Sequence, residues 1–563
     1  MTRFQAEIRE RICAAAAVAF FVLAGMAFIG SLGVEADEAL PAGPLYQPKS
    51  WYYAWHFGHA RIPLMHMSYL GTLKTWIWRP IFHWWGTGVW ALRFPALLIG
   101  AASIWIFYRF LRATVGPRAA LIGCAILAAD SQYLLTTVFD WGPVAFQHLL
   151  IGAGLLLLVK FHRSSNSLWL ATGFFLLGLA VWDKMLAAWM LSGLAIGALA
   201  TVPRQILSVW SWRRLAIAAL AFFAGALPVA LSSKHDHFAA LRENAGRTVT
   251  EIPGKIATLQ RTINGEGLFG YMFAEDFQTP APRAAANMAE RLSEDASESF
   301  GHPRRSLQLY ACLLALALAP LARGRDLRAI LFALVAMAVA WIQMVTTPTA
   351  GGSIHHTILL WPLPAMVMAV SFAAASRRLG RAGIPAVAVI LAVLVGSDVL
   401  VINEYFWKSV RNGGSHTWTD AVFPLSDDLM ARRPAAVYCA DWNIFENLRL
   451  LDRGALPLFS GMDPAPAPDM SPESRQWLLG MVAAPGAIWV THVPDFEYFP
   501  AVRPKVDGFA AAAGFERRLI RVIGDTHGRP TFELYRFQKQ ATPGLRPALA
   551  GRGPAPPDSL TWR

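Results

Sequence analysis

The 563 residues are 55% hydrophobic and only 15% charged, with 22 Trp, 33 Phe and a mean hydropathy of +0.38, which excludes an ordinary soluble chain. The net charge of +13 sits mainly in short loops between apolar runs, a topological bias of membrane proteins that argues against nucleic acid as a partner. The four cysteines, Cys13, Cys124, Cys312 and Cys439, are isolated in sequence and mark neither a disulfide framework nor a CxxC metal site.

In chain order, Arg3, Arg9 and Arg11 precede an uncharged run from Cys13 to Gly33 that is too long for a typical signal-peptide core and is expected to be a retained first span. Apolar length then places further spans near 88–109, 119–138, 142–160, 167–181, 184–201, 215–232, 306–322, 328–346, 356–375 and 383–402, about eleven in all. Alternate loops hold Arg109, Arg112 and Arg118; Lys160 and Arg163; Arg204, Arg213 and Arg214; Arg323, Arg325 and Arg328; and Arg377, Arg378 and Arg381. The positive-inside rule puts these loops and the N-terminus in the cytoplasm. The segments 34–87, 139–141, 182–183, 233–305, 347–355 and everything after about 403 then lie outside.

Two outer loops are long. In 48–87 six tryptophans, from Trp51 to Trp85, with Trp90 just beyond, interleave with His, Arg and Lys, which suits short helices in the membrane interface. Segment 233–305 is polar, with Pro253, Gly265, Gly270 and Pro280 interrupting short helices, and reads either as a flap over a site or as an ordinary surface loop. After Asn403, Ala435–Ala440, Ala487–His492, Phe515–Ile523 and Thr531–Phe537 read as strands and Ser471–Val482 as a helix. Residues 538–563, rich in Pro, Gly and Arg, are expected to be disordered. The expected fold class is thus an all-α polytopic membrane domain over 1–403, followed by a small extracytoplasmic α/β domain over 404–537.

Candidate chemistry gathers on the outer side. Asp37 and Glu38 follow the first span, where a carboxylate can deprotonate an acceptor hydroxyl; the plainer reading is a solvated boundary. Asp140, in Asp140-Trp141-Gly142-Pro143, is either the N-cap of the next helix or a second site carboxylate, and Asp37 with Asp140 is the candidate pair for a divalent metal. Lys184 either pairs with Asp183 or stabilises a departing phosphate. Arg61, Lys74, Arg79, His355 and His356 are further candidates on that side. Carboxylates beside cations at headgroup depth suit transfer of a sugar from a polyprenyl phosphate; a lipid or glycan transporter or flippase, and a noncatalytic scaffold, stay open as alternatives.

These motifs resemble the GT-C superfamily of membrane glycosyltransferases, in particular the bacterial branch similar to dolichyl-phosphate-mannose protein mannosyltransferases and aminoarabinose transferases. The resemblance rests on Glu35-Ala36-Asp37-Glu38, Ile62-Pro63-Leu64-Met65, Tyr69-Leu70-Gly71-Thr72-Leu73-Lys74, Leu92-Arg93-Phe94-Pro95, Asp140-Trp141-Gly142-Pro143 and Gly178-Leu179-Ala180-Val181-Trp182-Asp183-Lys184, in order over about 400 residues. It implies GT-C topology and an inverting transferase in the bacterial inner (plasma) membrane, using a polyprenyl-phosphate sugar donor and a lipid, glycan or protein acceptor. It further implies that Asp37 is the base with Glu38 its neighbour, that Asp140 is the second acid, that Lys74 and Lys184 contact the donor phosphate, and that His355 and His356 face the cavity. The first loop departs from the aminoarabinose transferases, with Ile62-Pro63-Leu64 where those carry a Lys-Pro-Pro run.

Overall fold

The structure, a computed structural model, describes residues 3–47, 51–142, 144–244, 246–348, 350–462 and 470–540. It forms two compact units. The first comprises Met1–Ser31, Trp51–Tyr271 and Ala284–Val410; the second comprises Leu32–Ser50, Met272–Arg283 and Arg411–Arg563. Two segments lying within the expected 1–403 domain, 32–50 and 272–283, therefore belong with the C-terminal unit, and the helix Gly383–Arg411 runs past the expected boundary at 404.

The first unit is a helical bundle. Among the described residues, seven of its helices are long and apolar enough to cross a membrane: Phe4–Phe28, Val89–Thr114, Val144–Ser164, Trp212–His235, Arg325–Thr346, Ile354–Arg378 and Gly380–Arg411. The other four expected spans are bent pairs or shorter apolar helices. Pro117–Ala129 and Ser131–Val138 meet at 61°. The break falls at Asp130, whose buried carboxylate caps the second helix by accepting from the Tyr133 N–H (2.8 Å) and also accepts from the Trp361 indole (2.7 Å). Ala187–Thr201 and Pro203–Val209 meet at 97°, where Pro203 begins a new helix. Ser167–Asp183 and Gln308–Leu321 are the two short helices. The buried Gln308 amide donates to Asp398 over 2.8 Å.

The first long loop corrects its expectation. Instead of interfacial helices, 51–71 forms an antiparallel sheet in the order β1 (Tyr53–Phe57), β2 (Ala60–Met67), β3 (Leu70–Gly71). Its alternation was masked by the run of aromatics, and the two-residue turn at Gly58-His59 closes the hairpin. Only Leu73–Trp85 is helical there; it buries Trp78 and exposes Trp84 and Trp85. In the second loop, Pro253 starts rather than interrupts the helix Ile252–Ile263. That helix is tied to the bundle by buried Lys255, whose Nζ donates to the carbonyls of Thr347 (2.5 Å) and Pro348 (3.2 Å) at the C-terminal end of Arg325–Thr346.

The second unit is built on a five-stranded sheet ordered β5-β4-β6-β8-β7, with β4 (Ala436–Cys439), β5 (Leu458–Ser460), β6 (Ala487–His492), β7 (Phe515–Gly524) and β8 (Pro530–Lys539). β4 pairs in parallel with β5 and β6, and the β6-β8-β7 half is antiparallel. β4 and β6 are buried on both faces. Val437 and Cys439 pack with Leu425, Leu429 and Leu448 of the helices Val422–Arg432 and Phe445–Leu451. Tyr438 and Trp489 pack on the other side with Leu478, Met481 and Val506 of Pro472–Val482 and Val502–Ala512. Gln538 and Lys539, expected in the disordered tail, extend β8; residues 541–563 lie outside the described residues.

Candidate active site

In the first unit the site is assembled around the turn Asp140-Trp141-Gly142, which joins Ser131–Val138 to Val144–Ser164. Asp140 adopts a positive φ of 40°, a conformation that Asp tolerates better than most residues. One carboxylate oxygen accepts from the Ala145 N–H (3.2 Å) in the first turn of the following helix. The other lies 2.5 Å from Lys74 Nζ, and both side chains are buried. Asp140 thus supports the start of the following helix and carries an ion pair with Lys74.

Lys74 is delivered by the first loop. β2 contributes carbonyls rather than side chains. The Pro63 oxygen accepts from the Thr72 hydroxyl (2.7 Å) and the Trp76 indole (3.2 Å), and the Leu64 oxygen accepts from the Trp182 indole (2.8 Å). These contacts set the start of Leu73–Trp85, so that Lys74 in its first turn projects beside the Trp78 ring, 5.1 Å from its centroid. β3 reaches the second cation: Leu70 bridges Lys184 through the backbone, and the Met185 N–H donates to Tyr69 (2.9 Å). A Cβ on Gly71 would stand 1.9 Å from the Trp182 carbonyl, so this approach requires glycine. Lys184 Nζ donates to the Gly142 carbonyl (3.1 Å). Asp183 is buried beside it, with Oδ2 making no hydrogen bond.

His355 closes the turn from the other side. Its ring lies edge-on to Trp141 (4.5 Å) and 4.2 Å from His356, and a Cβ on Gly142, itself at φ +69°, would come within 2.5 Å of it. Tyr271 stacks on Trp141 at 4.6 Å; nothing in its sequence context marked it. The structure thus brings together Lys74, Asp140, Lys184 and His355. His356 is half-buried and touches this group through His355, whereas Arg61 is exposed, opposite His56 across the β1–β2 turn.

Asp37 and Glu38 belong to the second unit, in the short helix Ala36–Ala39. Glu35 caps it, accepting from the Asp37 N–H (2.8 Å). Burial and the neighbouring Asp37 charge push the Glu35 carboxyl well above the ordinary carboxylate range. Glu38 is buried and Asp37 half-buried. The two acids expected to hold any metal fall in different units, and Asp140 is already engaged by Lys74 and Ala145. Among the described residues no group of three or more His, Cys, Asp or Glu side chains is placed to hold an ion.

Comparisons with known proteins bear directly on the class of this helical bundle. The family model for dolichyl-phosphate-mannose-protein mannosyltransferase matches residues 72–228, a stretch holding Lys74, Asp140 and Lys184 but neither Asp37 nor His355. Among solved structures the chain is similar to ArnT from Cupriavidus metallidurans in the apo state, at 12% identity and a TM-score of 0.53, over 94% of this chain and 98% of that one. It is likewise similar to the same protein bound to undecaprenyl phosphate, at 13% identity and a TM-score of 0.51, over 93% and 97%. No curated protein matches the chain. The chain is a multi-pass membrane protein with this fold, and the resemblance read from its short motifs holds.

Proposed function

We propose that the protein transfers a sugar from a polyprenyl-phosphate donor to an acceptor hydroxyl at the extracytoplasmic face of the bacterial inner membrane. The observation that carries this reading is the buried turn where Lys74, Asp140 and Lys184 converge, all three within the stretch that matches the mannosyltransferase family. The undecaprenyl phosphate bound to ArnT supports a long-chain polyprenyl phosphate as the carrier. Topology follows the arginine-rich loops, which put the N-terminus in the cytoplasm.

The acceptor oxygen attacks the anomeric carbon, and the bond from that carbon to the phosphate oxygen breaks with its electron pair leaving on the phosphate. The acceptor proton passes to the Asp37 carboxylate. Lys184, with Lys74, stabilises the charge that develops on the departing phosphate, the electrostatic contribution that weighs most in such a step. Asp140 aims Lys74 through their ion pair. In the acidic turn, Glu35 holds its proton to higher pH than an ordinary carboxylate, because it is buried beside the Asp37 charge. A single displacement inverts the anomeric centre.

The test supplies donors of one defined anomeric configuration, covering several sugars, together with lipid, glycan and peptide acceptors, and reads the linkage of the product by NMR. An inverted linkage is expected. A retained linkage overturns the single displacement, and no glycosylated product from any donor overturns the reading in favour of transport or scaffolding.

A further inference from the structure

The second unit does more than follow the bundle in sequence. Its parallel strand β4 ends at Cys439, and after Ala440 the residues Asp441-Trp442-Asn443 form a turn at the carboxyl edge of the sheet, where α/β folds place their working residues. Asn443 has φ +65°. Its buried amide bridges two backbone groups: Oδ1 accepts from the Ala36 N–H (2.7 Å) and Nδ2 donates to the Thr417 carbonyl (2.7 Å). Because an N–H faces one end and a carbonyl the other, only one orientation of the amide satisfies both. One helical turn on, the buried Asn447 amide donates to the Val34 carbonyl (2.8 Å) and to the Asn443 carbonyl (2.8 Å). The Gly33 N–H adds a bond to the Trp418 carbonyl (2.9 Å). The segment leading to Asp37 is thus held on the groups of Gly33, Val34 and Ala36 by residues some four hundred positions away.

The platform is itself braced. Asp441 accepts from the backbone N–H groups of Trp442 (2.9 Å), Tyr498 (3.0 Å) and Phe499 (3.1 Å), and from His492 Nδ1 (2.7 Å). Two buried primary amides spent on main-chain groups of a distant segment contribute little to packing the sheet, because the apolar clusters on its two faces are complete without them.

We propose that Asn443 and Asn447 are positioning residues that fix the acidic turn, and with it the Asp37 carboxylate, so that the C-terminal unit is a working part of the transferase. This rests on the reading of Asp37 as the base. A displacement of about 1 Å in a positioned group costs about 10²-fold in rate, so Asn443→Ala is expected to lower kcat by about 10–100-fold while the donor KM stays within about twofold. Asn447→Ala releases the Val34 carbonyl and its bonds to Asn443 but leaves the Asn443 contact to Ala36, and should lose less.

The experiment measures full-length protein in lipid: wild type, Asn443→Ala, Asn447→Ala, Asp37→Asn and the double variant Asp37→Asn/Asn443→Ala, with the thermal midpoint of each recorded beside its kinetics. If Asn443 acts through Asp37, the double variant is no slower than Asp37→Asn alone. Rate losses that multiply, or a drop in kcat that merely tracks the thermal midpoint, overturn the positioning role. So does a wild-type kcat in both asparagine variants while Asp37→Asn is inactive. Should Asn443→Ala fail to fold, Asn447→Ala in both Asp37 backgrounds decides on the same criterion. A fully active Asp37→Asn instead overturns the assignment of the base, and the positioning role with it.

Discussion

The Lys74–Asp140 pair makes the sharpest energetic claim. Both groups are buried and their charged atoms lie 2.5 Å apart, so Lys74→Met leaves a carboxylate in the interior with its charge uncompensated and only the Ala145 N–H for support. Breaking a buried pair from one side typically costs about 3–5 kcal/mol, whereas replacing both partners by neutral groups of similar volume is often close to neutral. Lys74→Met and Asp140→Asn should therefore each destabilise the bundle by about 3–5 kcal/mol, and the double variant should return to within about 1 kcal/mol of wild type. The coupling is then about 5–9 kcal/mol, the two single losses less the residual of the double. Unfolding in mixed micelles, followed by tryptophan fluorescence, reads all four proteins. Single losses below about 1 kcal/mol, typical of exposed pairs, or losses that add in the double variant, would refute the claim that this is a desolvated pair. The double variant, stable as it is, should remain inactive in transfer, which separates the pair's role in folding from its role in the site.

Two further outcomes follow from the same geometry. Lys184→Ala removes a cation from the turn at Gly142 and should lower kcat/KM by about 10²–10³-fold, the usual effect of deleting one preorganised electrostatic group, with Lys184→Arg recovering only part of it; a loss under about threefold would remove Lys184 from the phosphate site. Glu35 has its carboxyl raised above its ordinary value of 4.5 by burial and by the Asp37 charge, so its contribution to stability is full below about 4.5 and is lost as pH rises through the raised folded value. Glu35→Gln, which keeps an acceptor for the Asp37 N–H, should accordingly raise the thermal midpoint more at pH 8 than at pH 4, and an equal shift at both would contradict the burial of an ionisable group there.

Much of the architecture was legible because membrane burial imposes long apolar runs; every expected span contains a helix. The breaks were less so. Asp130 is one acid in an apolar stretch, and its effect depends on Trp361, more than two hundred residues away, as partner. The sheet unit was readable where strands are long, as at Ala487–His492, and missed at Leu458–Ser460, a three-residue strand that only its pairing with β4 defines. Tryptophan-rich alternation in the first loop carried two meanings, interface helix and strand, and the turn at Gly58-His59 was the neglected signal.

For the site, residue types and order pointed to Lys74, Asp140 and Lys184, but not to their partners. Lys184 Nζ reaches the Gly142 carbonyl, and Asp140 takes up Lys74, because β2 and β3 fold the first loop back onto the turn. That Asp37 groups with the C-terminal unit was invisible in sequence, since the Asn443 and Asn447 contacts span more than four hundred positions. Tyr271 shows the same limit: its ring matters because it stacks on Trp141.

The most direct measurement of the central claim is release of free polyprenyl phosphate by the purified protein in lipid, across a panel of polyprenyl-phosphate sugars, for wild type beside Asp37→Asn. The account expects release by wild type from at least one donor, and a rate at least about 10²-fold lower in Asp37→Asn, the contribution of a positioned base. Release that is unchanged in Asp37→Asn would contradict the assignment of the base, and folded wild-type protein that releases nothing from any donor would contradict the transferase itself.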